Sequence, residues 1–560
     1  NKDAFNFERS VQKSIFVRIV YSDMRKIIII ISLLFAAIIA TTWLYFKNLN
    51  SVTQSNEKVF LMIPEDASLI YEYKNEETVY QIFKDFKLFG EVIGTSHLDH
   101  LKGLKEIFIN NVNASKTLKE SKIFLSIHPT QANQSDFLIL TNLAKENTDA
   151  TNLLEILASK YKLNKSTINQ TTVHQIEFNN QSKFWFFFNN DVLIGSFNQG
   201  LITKSVSLIG NKKLNTDFNL NDNSPRSKKS LSNLYINFSK VPDFLNHFSN
   251  RKNPQETFYL KNIKATATLN INYQNNAFMF SGITFPNKNS KTYFNLFLSQ
   301  QPGKSTLLDM IPFDISNYTF YYVSDYQKFN NDLRNFHNQQ NEWKKLEKQL
   351  NYITQKHAIN LDTELIPVIG KEFGSFQLAS GDKIGIIKSS NNNRLSFLLS
   401  TISSAVSDDI RHFDDSYLMQ TYFGDALKEF KRPYYAIIEN HLIVANNTTA
   451  LNRYLNNYSQ QKFLSRTDKN LNFQQYLSNQ GNIFYFIHNS NSKAIVKSFL
   501  SKSAYKSFKS DEFKWTGIYG FAMQFSADKD KYFTNLYMNK MPEEESLLPN
   551  IDSLINTSIE

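Results

Sequence analysis

The stretch "LMIPEDASLIYEYKNEETVYQIF", Leu61 to Phe83, is matched in its residue types by "DMIPFDISNYTFYYVSDYQKF", Asp309 to Phe329. Pro64, Asp66 and Ser68 correspond to Pro312, Asp314 and Ser316, each 248 positions later. The correspondence continues past this opening strand. Val79, Ile82, Phe86 and Phe89 have the 0, 3, 7, 10 spacing of one helical face, and Tyr326, Phe329, Leu333 and Phe336 repeat it. "NNDVLIGS" at 189–196 matches "ENHLIVAN" at 439–446, a turn and a β-rich strand that each lead into a helix. "NLYINFSKVPDFLNHF" from Asn233 resembles "NIFYFIHNSNSKAIVKSF" from Asn482, and hairpins at 268–282 and 521–535 close the two copies. Landmarks kept in order over such distances predict an internal duplication rather than a short-period solenoid.

The fold class expected is α+β, with two tandem duplicated units of antiparallel sheet and packed helices at residues 57–290 and 305–545. The second unit carries an insertion, since Trp343, Leu346, Leu350 and Ile353 make another helical stripe. Residues 546–560 form an acidic tail. A chain of 560 residues has room for several domains, and 41% apolar with 20% charged residues is globular composition.

Before the repeats stands Ile27 to Phe46, "IIIIISLLFAAIIATTWLYF", 20 residues with neither charge nor proline. That length of helix spans about 30 Å, the hydrocarbon thickness of a bilayer. The sequence therefore predicts a single N-terminal transmembrane helix that serves as an uncleaved signal anchor, because no A-x-A pattern closes it. Arg9, Lys13, Arg18, Arg25 and Lys26 precede it and place residues 1–26 in the cytoplasm and the bulk in the periplasm. "MRKIIIII" from Met24 has the form of a short basic N-terminus, so residues 1–23 read either as a cytoplasmic stub or as a non-native upstream extension. The expected localisation is the inner membrane, with the lipid bilayer as partner through residues 27–46.

Charge and cysteine content narrow the chemistry. The net charge of +11 is spread over 62 basic and 51 acidic residues, and runs such as "EWKKLEKQ" mix both signs, so no nucleic-acid partner is expected. The absence of cysteine removes disulfides, thiolate nucleophiles and Cys-ligated metals. There is no G-x-S-x-G elbow, P-loop or G-x-G-x-x-G, and catalytic and cofactor residues are read as none.

Three clusters call for a reading. "HLDH" at 97–100 sets His97 and His100 at i, i+3 with Asp99 between them, but a metal site needs a further ligand and supporting hydrogen bonds. "SDDIRHFDDSY" gathers Asp408, Asp409, Asp414 and Asp415, without the glycine of a calcium loop and with Arg411 among them; it reads as a solvated helix end. "KFWFFFNND" at 183–191 has large apolar groups on both faces of a strand. It is either a central strand covered on both sides or one whose Phe184, Phe186 and Phe188 form an open apolar contact surface.

The single anchor, the "IP-x-D-x-S" opening strand and the two strand–helix–hairpin copies resemble the domain-of-unknown-function proteins anchored in the envelope of Bacteroidota-type bacteria. The likeness covers most of residues 57–545, and it implies the envelope location and the two-unit layout but no reaction. The expected function is non-enzymatic: a membrane-anchored periplasmic protein acting through surface contacts in envelope organisation or assembly, with another envelope protein as a candidate partner. Two alternatives stand beside it. One is a lipid-binding or lipid-transfer protein with an apolar groove; the other is a hydrolase whose polar residues converge from distant segments.

Overall fold

Among the described residues, runs of β-branched and aromatic residues become twenty strands, and none of these pairs parallel. The computed structural model describes residues 57–76, 87–108, 118, 121–130, 133–143, 146–178, 181–210, 218, 232–251, 258–274, 277–510 and 517–540. In the first half the strands are β1 Leu69–Lys74, β2 Lys122–Pro129, β3 Ser135–Asn142, β4 Asn164–Ile168, β5 Thr171–Glu177, β6 Lys183–Asn189, β7 Val192–Ser196, β8 Ser232–Asn237, β9 Ala265–Gln274 and β10 Ala277–Pro286. The second half has β11 Ile315–Tyr322, β12 Ile369–Leu378, β13 Lys383–Ser389, β14 Ser403–Ala405, β15 Arg411–Phe413, β16 Tyr434–Ile438, β17 His441–Ala445, β18 Ile483–His488, β19 Ile518–Asp528 and β20 Lys531–Lys540.

The first half is ordered β4-β5-β6-β7-β3-β2-β1-β8-β9-β10. The second half is ordered β14-β15-β16-β17-β13-β12-β11-β18-β19-β20. Each strand of the first order has its counterpart ten strands later. The two rows meet where β10 pairs with β20, from Ala277 opposite Asn539 to Thr284 opposite Tyr532.

That seam corrects the expected fold class. Instead of two separate tandem α+β units, the described residues make one antiparallel sheet of 20 strands with helices packed on it. The physical reason is that β10 and β20 would each end its own sheet with a bare edge of N–H and C=O groups, and they satisfy each other. Among the described residues no helix is long and apolar enough to cross a membrane. Ile27–Phe46, residues 1–26, the tail 546–560, and Val79, Ile82 and Phe86 lie outside the described residues.

The helices used below are α1 Thr95–Phe108, α2 Gln199–Val206, α3 Val241–His247, α4 Tyr326–Gln339, α5 Trp343–His357, α6 Thr448–Ser459 and α7 Lys493–Phe499. The apolar stripe of α4, Tyr326, Phe329, Leu333 and Phe336, is buried, with the Phe329 ring 5.4 Å from that of Phe373 on β12. α5 buries Leu346, Leu350 and Ile353, and it is not the expected insertion: α1 holds the matching place between β1 and β2, and the two helices start 248 positions apart. The helices after β7 and β17 start alike: Asn198 Oδ1 accepts from Gly200 N at 2.9 Å and Asn447 Oδ1 from Ala450 N at 2.8 Å. α3 and α7, which follow β8 and β18, are joined at their C-terminal ends. Asn250 N donates to Phe499 O at 3.1 Å and Ser501 N donates to Phe248 O at 2.8 Å, a reciprocal pair around the bridge Ser249–Leu500.

Gly282 stands in the seam strand with no room for a side chain, since a Cβ there would lie 2.2 Å from Thr268 O on β9. Gly282→Val is expected to destabilise the protein by about 1–3 kcal/mol, the usual cost of overpacking, read as a lower urea midpoint. Phe186 on β6 is 1% exposed, and Phe186→Ala is expected to cost about 3–5 kcal/mol in the same measurement.

Candidate functional site

The doubled strand–helix elements β8–α3 and β18–α7 enclose an apolar cavity of about 560 Å³. Its floor is the sheet, and the two short helices cover it. Residues at matching positions line it from both halves: Leu234 and Tyr485, Ile236 and Ile487 on the strands, Phe244 and Ile495, Leu245 and Val496 on the helices. Phe278 and Phe280 on β10 face Met538 and Leu536 on β20, so the seam itself supplies part of the wall. Packed interiors hold few voids larger than a water molecule, and a volume in the roughly 300–1,000 Å³ range is that of a small-molecule site. Phe244, Leu245, Ile495 and Val496 are only half-buried, which is costly for apolar groups unless something covers them.

One side of the cavity is polar. Asn317 on β11, Gln377 on β12 and Lys383 on β13 are neighbours across three strands, and Lys383 reaches Glu429. Asn317 Nδ2 donates to Gln377 Oε1 at 3.2 Å, and Lys383 Nζ donates to Glu429 Oε2 at 2.7 Å. Glu429 Oε1 is buried and has no hydrogen-bond partner among the described residues. The matching positions in the first half are Leu69, Ile127 and Phe137, all apolar. The two halves thus share a backbone frame and differ in polarity at the same three positions.

A second constellation lies at the end of β2. Asp66 Oδ1 is 2.6 Å from His128 Nδ1, and His128 Nε2 is 2.7 Å from Ser126 Oγ. This is the carboxylate–imidazole–hydroxyl order of a nucleophilic triad. Ser126 and His128 are nevertheless fully buried, and neither lines the cavity. A reacting carbonyl needs both access to the hydroxyl and donors for its oxyanion. The polar string also runs on: Lys204 Nζ donates to Asp66 Oδ2 at 2.7 Å, and Asp136 sits opposite His128 in register. Burial pushes the Asp66 carboxyl up, but the His128 and Lys204 bonds and charges outweigh it and hold the group down at about 2. Burial raises Asp136, against the Phe137 N–H and the charges of His97 and His128. In the second half Phe376 and Leu378 occupy the positions of Ser126 and His128. The string acts as a polar tie that fastens the Pro64–Ser68 turn and α2 to the sheet.

The residues singled out in the sequence fall elsewhere. Phe184 and Phe186 are buried and Phe188 half-buried on β6, an interior strand between β5 and β7, so this row does not present an open contact surface. His97 Nδ1 lies 2.9 Å from Ile93 O and its Nε2 3.2 Å from Ser135 O, His100 stacks on Phe197 at 3.9 Å, and Asp99 takes Lys102 at 2.8 Å. Among the described residues no group of three or more His, Asp or Glu is placed to hold a metal ion. In the acidic run Asp415 is buried and binds Lys356 Nζ at 3.2 Å and His357 Nε2 at 3.1 Å, pinning the end of α5. Asp414 accepts from Ser404 at 2.6 Å.

The sequence reading does not reach the cavity residues or the Asp66–His128–Ser126 tie. The available signal for the first was the paired "VPDFLNHF" and "NSKAIVKSF" segments, which become the covering helices. For the second it was Asp66 itself, repeated as Asp314 but given different partners, Asn457 Nδ2 donating to the latter at 3.0 Å. Comparison with known proteins finds no matching family model, no matching curated protein and no matching solved structure.

Asp66 has a folded value below its ordinary one, so its contribution to stability is present above about pH 4 and is lost as pH falls toward about 2. Asp66→Asn is expected to lower the melting temperature at pH 7, with the gap to the parent protein closing as pH approaches 2. A gap that persisted unchanged at pH 2 would contradict the assignment.

Proposed function

We propose that this protein binds a single-tailed amphiphile and shelters its hydrocarbon chain in the cavity beneath α3 and α7. The observation that carries the reading is that cavity: about 560 Å³, walled by apolar side chains from matching positions of both halves, and not filled by any side chain of its own. An apolar pocket of this size with a few polar groups gathered on one side is the ordinary form of a site for a partly apolar ligand. The half-buried Phe244, Leu245, Ile495 and Val496 gain most if a hydrocarbon chain lies under them, at about 25 cal/mol per Å² of apolar surface removed from water. The covering helices are tied to each other by two main-chain hydrogen bonds at one end, so the rest of their length can part without breaking the sheet.

Action through an aromatic surface at Phe184, Phe186 and Phe188 has less support, since the first two side chains are buried. Hydrolysis at Ser126 has less support too, since neither Ser126 nor its imidazole partner meets solvent or the cavity.

The test is binding of N-phenyl-1-naphthylamine, a dye that brightens in apolar surroundings. The parent protein is expected to bind it in the micromolar range or tighter. Leu245→Trp and Val496→Trp, which put bulk into the cavity from half-exposed helix positions, are each expected to weaken binding about tenfold or more with the melting temperature little changed. Dye binding that is absent, or indifferent to both variants, would overturn the proposal.

A further inference from the structure

Resting on the cavity reading, we infer that the ligand's headgroup is uncharged and hydroxylated, as in a monoacylglycerol, and that Glu429 and Lys383 select it. The cavity's polar side carries one cation, one anion and two carboxamides: Lys383, Glu429, Asn317 and Gln377. Their charges cancel. The hydrogen bonds within the row leave specific needs. Lys383 Nζ spends one N–H on Glu429 Oε2 at 2.7 Å, and an ammonium has two more to give. Glu429 Oε1, buried and without a partner among the described residues, needs a donor. A buried acceptor left unpaired is costly, so an occupant that donates to it gains more than the bond would bring in water.

Three headgroups of equal tail length separate on these terms. A carboxylate accepts from Lys383 but cannot donate to Glu429 and meets its like charge. An alkylammonium donates to Glu429 but meets the Lys383 ammonium. A hydroxyl both donates and accepts, carries no charge to be repelled, and satisfies the two groups together. The first half of the molecule shows that this polarity is not required by the frame, because Leu69, Ile127 and Phe137 hold the same three sheet positions there. The polar row is therefore a local departure at a place where a head can lie beside an apolar chain.

The experiment is titration of the full chain with 1-monopalmitoylglycerol, palmitate and hexadecylamine below their aggregation limits, in the parent protein and in Glu429→Gln and Lys383→Met. The glycerol ester is expected to bind about tenfold or more tighter than either charged amphiphile. Glu429→Gln should narrow the gap to palmitate, and Lys383→Met the gap to hexadecylamine. Palmitate or hexadecylamine binding as tightly as the ester, with binding still lost in Leu245→Trp, would overturn the headgroup assignment and leave the cavity reading standing. Failure of all three to bind would overturn both.

Discussion

The pairing of β10 with β20 is the contact on which the rest of this architecture rests. Each strand closes a ten-strand row and would otherwise leave a ladder of unsatisfied main-chain groups along an edge, an invitation to pair with any other strand. Joining the two edges removes both at once. Because the rows have the same strand order, the two edges are equivalent positions of one frame, and the pairing resembles the self-complementary contact of a two-fold dimer held within one chain. The reciprocal bonds of Asn250 with Phe499 and of Ser501 with Phe248 follow the same two-fold logic on the helix side of the sheet. Between seam and clasp lies the cavity, a space that neither half could enclose alone.

What differs between the halves is as informative as what repeats. At Leu69, Ile127 and Phe137 the first half closes its surface with apolar groups, and the His97 ring on α1 sits 4.7 Å from that of Phe137. The matching Asn317, Gln377 and Lys383 keep one side of the cavity polar. The exchange runs the other way on the opposite face of β2. There Ser126 and His128 form a polar tie to Asp66, where the second half packs Phe376 and Leu378. A repeated frame tolerates such exchanges because strand order is held by main-chain hydrogen bonds, which do not depend on side-chain identity.

How much of this could be read in the sequence depends on the range of the interaction. The stripes Tyr326–Phe336 and Trp343–Ile353 were legible because a helix writes its buried face every three or four residues. The matched segments around Val192 and His441, and around Asn233 and Asn482, were legible because each is a local strand with its own turn. The β10–β20 seam was not, since pairing between strands some 250 residues apart leaves no periodic mark in either, and the two halves looked like separate units. "KFWFFF" was ambiguous for a related reason: a strand buried on both faces loses the alternation that would show its direction, and only its neighbours β5 and β7 decide the matter. The cavity residues escaped because each is an ordinary apolar position in its own segment. Asp66, His128 and Ser126 escaped because 62 residues separate the first two.

The clasp also bears on how a cavity walled by a continuous sheet can admit an occupant. Its two bonds are main chain to main chain, each contributing a net of about 1 kcal/mol to stability. Side-chain additions at the same place, Asn250 Nδ2 and Arg251 Nη2 donating to Ser498 O at 3.2 and 3.1 Å, are solvent-exposed and add little. The seam opposite is eight residue pairs long, with Thr284 and Thr534 hydroxyls bonded across it at 2.6 Å. Strain on the cavity therefore releases first at the helices, not at the sheet. On the proposed reading, a molecule entering between α3 and α7 would meet apolar side chains from both, Phe244 and Leu245 on one and Ile495 and Val496 on the other, and the surface buried there would offset the cost of parting them.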